Sequence, residues 1–250
     1  MRTVGFWVAV ALIVACLRGV AYLEPDPCDA YRYAYVGAKW ADGRLPYRDL
    51  WENKPPAIYL LNAAAFAASR TRHWEVLYIV ECLTALCTAV LLWGMLRRWL
   101  GCDYPPVVTF VAVVLAFSTR LASSGNLTEG YQTAWAVAGL WVLTVLAAGG
   151  SAGWYALCGM LIGLGGLFKP TGLGTAVAVA AWLLIEWLGG RLRFRQAVTR
   201  IALLVVGVVL PWIVAAGWFA RQGLASDCLL YTSDAADDLL CVDLGGRRII

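Results

Sequence analysis

A single histidine, His73, occurs in the whole chain, and charged residues make up only 14% of its 250. Soluble domains average about 25% charged residues. The shortage of histidine excludes a His-based metal cluster and a Ser-His-Asp triad. No GxxxxGKS or GxxxxGKT occurs, which excludes a nucleotide held in a phosphate loop. No internal repeat and no low-complexity linker interrupts the chain. Apolar residues fill the space that charge leaves, at 61%, with a mean hydropathy of +0.70. A soluble protein of that composition would expose apolar patches large enough to aggregate. Disorder, a collagen helix and a nucleic-acid partner have no compositional support.

What is present are runs of apolar residues with 25 glycines and 13 tryptophans, as in membrane chains. A spanning helix needs about 20 mostly apolar residues. Candidate spans are residues 4–22, 75–96, 106–119, 131–148, 154–168, 172–188 and 201–219. The expected class is all-α: a polytopic membrane protein of about seven transmembrane helices, with interfacial helices in its first exterior loop. The first span has no small-residue cleavage site and Arg18 interrupts its end, so it reads as a retained signal anchor. Residues 55–69 are apolar but too short to cross, and read as an interfacial or half-inserted helix. Arg2, Arg97, Arg98, Arg191, Arg193, Arg195 and Arg200 fall on one side when the spans alternate, which by the positive-inside rule is cytoplasmic. Residues 23–54, residues 121–130 and Lys169 then lie outside.

The last stretch, 228–250, differs in kind. Its codons for CLLYTSDAAD and for CVDLGGRRII resemble the two halves of a sequencing-library adapter, with Asp238, Leu239 and Leu240 where an index would stand. Residues 1–227 are therefore read as the membrane part, the natural chain is expected to continue beyond Asp227, and Asp234, Asp237, Asp238 and Asp243 are not candidate acids. Of the six remaining cysteines, Cys16, Cys82, Cys87, Cys102 and Cys158 sit in or beside spans, and Cys28 stands alone in the exterior loop. No disulfide framework follows.

Exterior charge concentrates in residues 23–54, which hold six acidic and five basic residues. A solvated loop needs polar residues, and each charge taken singly fits that role. The mixture is less ordinary, because aromatics, paired prolines and alternating carboxylates and cations run straight into an apolar half-helix. Such a loop can lie at the membrane surface, presenting cations to a lipid phosphate and a carboxylate to a polar acceptor.

The segments Asp29-Ala-Tyr-Arg32-Tyr33, Gly43, Pro46-Tyr47-Arg48-Asp49 and Asn53-Lys54-Pro55-Pro56-Ala-Ile-Tyr59 resemble the first exterior loop of C-type membrane glycosyltransferases. The similarity is to the branch holding protein O-mannosyltransferase-like enzymes, the lipid A aminoarabinose transferase and the rhizobial lipopolysaccharide-core transferases. Gly125-Asn-Leu-Thr-Glu129 and Phe168-Lys169-Pro170 are similar to this branch too. The resemblance implies an enzyme of the bacterial inner membrane that acts at its exterior face. It would move a sugar, with inversion, from a polyprenyl-phosphate donor to a lipid, glycan or protein acceptor. It implies Asp29 as general base and Arg32 and Lys54 as phosphate contacts. Many members carry Asp-Glu where this chain has Asp29-Ala30, which leaves Asp26 or Glu24 as a rival base.

Four further residues are possible substrate contacts. Arg48 and Asp49 can equally pair across a turn. Glu129 can reach sugar or acceptor, or simply favour a helix N-terminus. Lys169 can reach a phosphate or snorkel. Glu81 and Glu186 lie in or near spans, where charge is costly and usually purposeful, though Glu186 sits close to the Arg191 loop and reads as interfacial. No cofactor is expected, no metal ligands are assigned, and a divalent-ion requirement stays open. The alternative function is a transporter or lipid-linked-sugar flippase with Glu81, Glu129 and Lys169 along its path. Against it, no inverted repeat is visible and the charges gather outside rather than at mid-membrane.

Overall fold

The computed structural model describes residues 2–23, 29–50, 52–70, 73–101, 125–146 and 150–224. Glu24, Asp26, Cys28, the expected span 106–119 and the tail 228–250 lie outside the described residues. Among those described, there are eight α-helices and no strand. They are α1 Arg2–Leu23, α2 Asp29–Ala41, α3 Ala57–Ser69 and α4 Glu75–Leu100, then α5 Thr128–Trp141, α6 Gly153–Gly166, α7 Gly174–Leu188 and α8 Phe194–Arg221. A π-helical turn, Val142–Leu146, prolongs α5, and a 3-10 turn, Pro170–Leu173, leads into α7. The expected all-α membrane architecture is what the chain adopts. Three described segments are long and apolar enough to cross a membrane: Glu75–Trp99, Pro170–Leu188 and Phe194–Arg221.

Local sequence accounts for the helix ends. Gly101 adopts φ +57° and closes α4 by donating its amide to the Arg97 carbonyl at 3.3 Å, a left-handed cap that glycine tolerates. At the start of α8 the Gln196 side chain accepts the Arg193 amide at 3.1 Å. That cap begins the helix seven residues before the apolar run at 201, so α8 carries Arg195 and Arg200 on its first turns.

Packing follows the small residues. Gly159 and Gly163, one turn apart on α6, face α8 so closely that a Cβ at Gly163 would stand 2.4 Å from the Val208 carbonyl oxygen. A Cβ at Gly207 would meet the Ala156 carbonyl at 2.1 Å. Backbones in lipid approach this closely only where side chains are absent. Since Gly159 meets Leu204 and Gly163 meets Val208, α6 and α8 run parallel. Gly139 of α5 abuts Ile162 and Gly165 abuts Trp135, so α5 and α6 are antiparallel. Arg18 pairs with Glu81 at one end of α1 and α4, and Trp7 meets Trp93 at the other, so these two are also antiparallel. These pairings put Arg97 and the Arg191–Arg200 stretch at one end of the bundle and Asp29, Glu81 and Glu129 at the other.

The amphipathic α2 buries Ala30, Tyr33, Ala34 and Gly37, an i, i+3, i+4, i+7 face, and exposes Tyr31 and Tyr35. That face lies on α3, where Gly37 fits over Asn62 with no room for a Cβ. Replacing Gly163 by Leu should destabilise the detergent-solubilised protein by about 1–3 kcal/mol through overpacking. Gly217→Ala, at a glycine whose Cβ would meet nothing within 4 Å, should be neutral or mildly stabilising, as thermal unfolding of both variants will show.

Candidate active site

Asp29 opens α2, where the helix dipole favours an acid. Its Oδ1 accepts the Arg32 Nη2–H at 2.6 Å, one helical turn on, and its Oδ2 lies 3.4 Å from the Tyr33 hydroxyl. The same guanidinium uses Nε to bind Glu52 Oε1 at 3.2 Å. Glu52 is only 2% exposed, whereas the Asp29 side chain is 46% exposed. The second oxygen of Glu52 accepts the Tyr59 hydroxyl at 2.6 Å. One arginine thus bridges a buried carboxylate and an open one. Burial lowers the Arg32 pKa, but the charges of Glu52 and Asp29 together outweigh it and raise the group above its ordinary value. Burial, then the charge of Asp29, holds the Tyr33 phenol well above the ordinary tyrosine range.

The remaining segments converge on the same end. Asn126 adopts φ +58° and donates Nδ2–H to the Ala30 carbonyl at 3.3 Å, tying the 125–129 loop to the first turn of α2. Lys169 stands before Pro170 in extended backbone, φ −152° and ψ 124°, the conformation a following proline enforces. This sends its side chain across to Glu129, with Nζ 2.6 Å from Oε1. Behind that pair the Tyr131 and Phe168 rings stack at 5.4 Å. The Ala57 amide donates to the Leu167 carbonyl at 3.2 Å, which lays the Lys54-Pro-Pro turn against the Phe168-Lys169-Pro170 turn. Glu129 is close enough that its charge adds to the upward shift of Tyr33. Lys54 is half-buried, its carbonyl accepts the Tyr47 hydroxyl at 2.6 Å, and its ammonium makes no ion pair among the described residues.

A family model described as Dolichyl-phosphate-mannose-protein mannosyltransferase matches residues 53–215. The chain belongs to that family. It is therefore a member of a membrane glycosyltransferase family, and the matched stretch takes in Lys54, the 125–129 loop, Lys169 and most of α8. No curated protein and no solved structure matches the chain.

Within this mannosyltransferase-family frame, the expected site residues sort into groups. Asp29 and Arg32 are in direct contact, and Glu129 and Lys169 are partners. Arg48 and Asp49 bind each other, with Arg48 Nε 3.0 Å from Asp49 Oδ1, while Asp49 Oδ2 also accepts the Leu45 amide at 2.8 Å. The Arg48 hydrogen bond, then the Leu45 amide, holds Asp49 below the usual carboxylate range. This pair closes an outer turn whose next-door residue, Tyr47, sits at φ 68°, an uncommon conformation for a bulky side chain. The Tyr47 ring is kept there by its contacts with Tyr59 and Phe219. Ala30 is fully buried against the Asn126 loop, so no acid reaches the site from that position. Among the described residues, no three His, Cys, Asp or Glu side chains gather as metal ligands would.

Two buried polar positions of this candidate site escape the reading of single residues. Glu52 looked like one charge among eleven in a polar loop. Asn126 looked like part of a motif with no role of its own. Both become visible only when the partners they bury are known. Removing the hydroxyl in Tyr59→Phe leaves Glu52 Oε2 without its donor and should destabilise the protein by about 1–3 kcal/mol. The exposed Tyr35→Phe should leave stability unchanged, and denaturant or thermal melts of the two variants separate these outcomes.

Proposed function

We propose that the chain transfers a sugar, with inversion, from a polyprenyl-phosphate donor to a hydroxyl or amine of a lipid, glycan or protein acceptor, at the exterior face of a bacterial inner membrane. Asp29 is the general base. Arg32 and Lys54 hold the donor phosphate. The observation that carries the assignment is the contrast between the two carboxylates on Arg32. Glu52 is sealed in and bound twice, and has no path to an acceptor. Asp29 shares the same guanidinium but stands open at the mouth of the site.

The contrast supports a simple division of labour. A donor phosphate that engages Arg32 through Nη2 displaces Asp29, while Glu52 keeps Nε and so keeps the guanidinium in place. The freed Asp29 carboxylate takes the proton of the acceptor O–H or N–H. The acceptor atom bonds to the anomeric carbon as the bond from that carbon to the phosphate oxygen breaks. Attack opposite the leaving group inverts the configuration. The departing polyprenyl phosphate gains negative charge, which Arg32 and the Lys54 ammonium stabilise. Glu129 and Lys169, beside the same mouth, are proposed to contact sugar and phosphate, and Arg48 and Asp49 to border the acceptor.

Membranes carrying the chain, supplied with a panel of polyprenyl-phosphate-linked hexoses and pentoses that includes the mannosyl donor, should move label out of the donor. Asp29→Asn should reduce transfer by about 100- to 10,000-fold, the usual worth of a general base, with insertion and melting unchanged. Wild-type turnover in that variant overturns the assignment.

A further inference from the structure

Glu81 lies on α4 in a stretch apolar enough to span the membrane, and its side chain is 13% exposed. A carboxylate in that setting is retained only where it has partners and a task. Its partners are specific. Arg18 of α1, itself 4% exposed, places Nη1 3.9 Å from Glu81 Oε1. The backbone amide of Asn126 donates to the same oxygen. The other oxygen is wedged beneath Gly125, where a Cβ would stand 2.7 Å away. The carboxylate thus supports the 125–126 turn from below, and a Cβ at Gly125 would push it aside.

The turn passes this support on. Asn126 is 1% exposed and held in the left-handed region, which asparagine tolerates better than most residues. Its side chain donates to the Ala30 carbonyl and accepts from the Tyr131 hydroxyl at 3.5 Å. Ala30 follows Asp29 directly, and Glu129 lies three residues beyond Asn126. We infer that Glu81 is a positioning residue for sugar transfer: through Asn126 it fixes the first turn of α2 and hence the direction in which Asp29 presents its carboxylate. This inference rests on the reading of Asp29 as the base.

The mechanical part needs no substrate to test. Hydrogen–deuterium exchange on the full chain in lipid nanodiscs should run about tenfold faster in the peptide covering residues 29–37 in Glu81→Gln than in the parent. Exchange over residues 156–163 and 204–211, where α6 and α8 cross, should be unchanged. Asn126→Gly allows the same backbone conformation and removes the side-chain links to Ala30 and Tyr131, so it should loosen residues 29–37 equally and carries the test should Glu81→Gln fail to fold. Unchanged exchange at 29–37 in folded variants overturns the inference.

The catalytic part uses dolichyl-phosphate mannose, or whichever panel donor the parent consumes. Both variants should lower kcat about tenfold with the donor KM within twofold, and the double variant should be no worse than either single one, because both cut one link. A raised KM at normal kcat, or additive losses, overturns it. The two readings fail differently. Wild-type turnover in Asp29→Asn with faster exchange in Glu81→Gln removes the base and leaves the tether to α2. Loss of turnover in Asp29→Asn with normal exchange in Glu81→Gln removes the positioning role alone.

Discussion

Everything at the Asp29 end of the bundle depends on how the buried charge of Glu52 is compensated. A carboxylate taken out of water loses several kcal/mol of hydration unless charge and hydrogen bonds replace it. Here the replacement is Arg32 Nε on one oxygen and the Tyr59 hydroxyl on the other. That requirement fixes Arg32 from α2 over Tyr59 of α3, and the two helices must therefore lie together. Gly37 permits the approach by leaving room for Asn62. Once Arg32 is pinned by Nε, its Nη2 edge faces outward, toward Asp29 and the mouth of the site.

The same logic recurs at the other joints. Lys169 answers Glu129, and Arg18 answers Glu81 where α1 and α4 meet beneath the 125–126 turn. The ion pairs differ in what surrounds them, and this sets how easily each can be opened. The Glu129–Lys169 pair is half-exposed, so water and salt weaken it and either partner can be exchanged for a substrate group at small loss. The pair at Glu81 is shielded, and removing one member would strand the other, which suits a fixed support.

Much of this was legible in the chain. The apolar runs predict the helices because a span has a minimum length, and the short run at 55–69 forms the thirteen-residue α3. The positive-inside pattern matches the clustering of Arg97 and Arg191–Arg200 at one end. The first-loop motif singled out Asp29 and Arg32, which the fold brings into contact. Pairings between distant segments were not legible. Glu129 and Lys169 are forty residues apart and each had a plausible solitary role, at a helix terminus or snorkelling. Arg18 read as the end of a span, and Glu52 as solvated charge, because burial of a polar residue depends on elements that the local pattern does not contain. The start of α8 at Phe194 was also hidden, since it is set by a side-chain cap rather than by hydrophobicity.

The central claim is that Arg32, held from behind by Glu52, receives the donor phosphate and thereby releases Asp29. Solid-state NMR on the full chain with 15N-labelled arginine and bound dolichyl phosphate measures this directly, through dephasing between phosphorus and guanidinium nitrogen. The expected result is a contact on the order of 4 Å, as a charge-assisted hydrogen bond to phosphate requires, which vanishes in Arg32→Gln. A bound phosphate with no such contact, or one whose dephasing persists in Arg32→Gln, would contradict it.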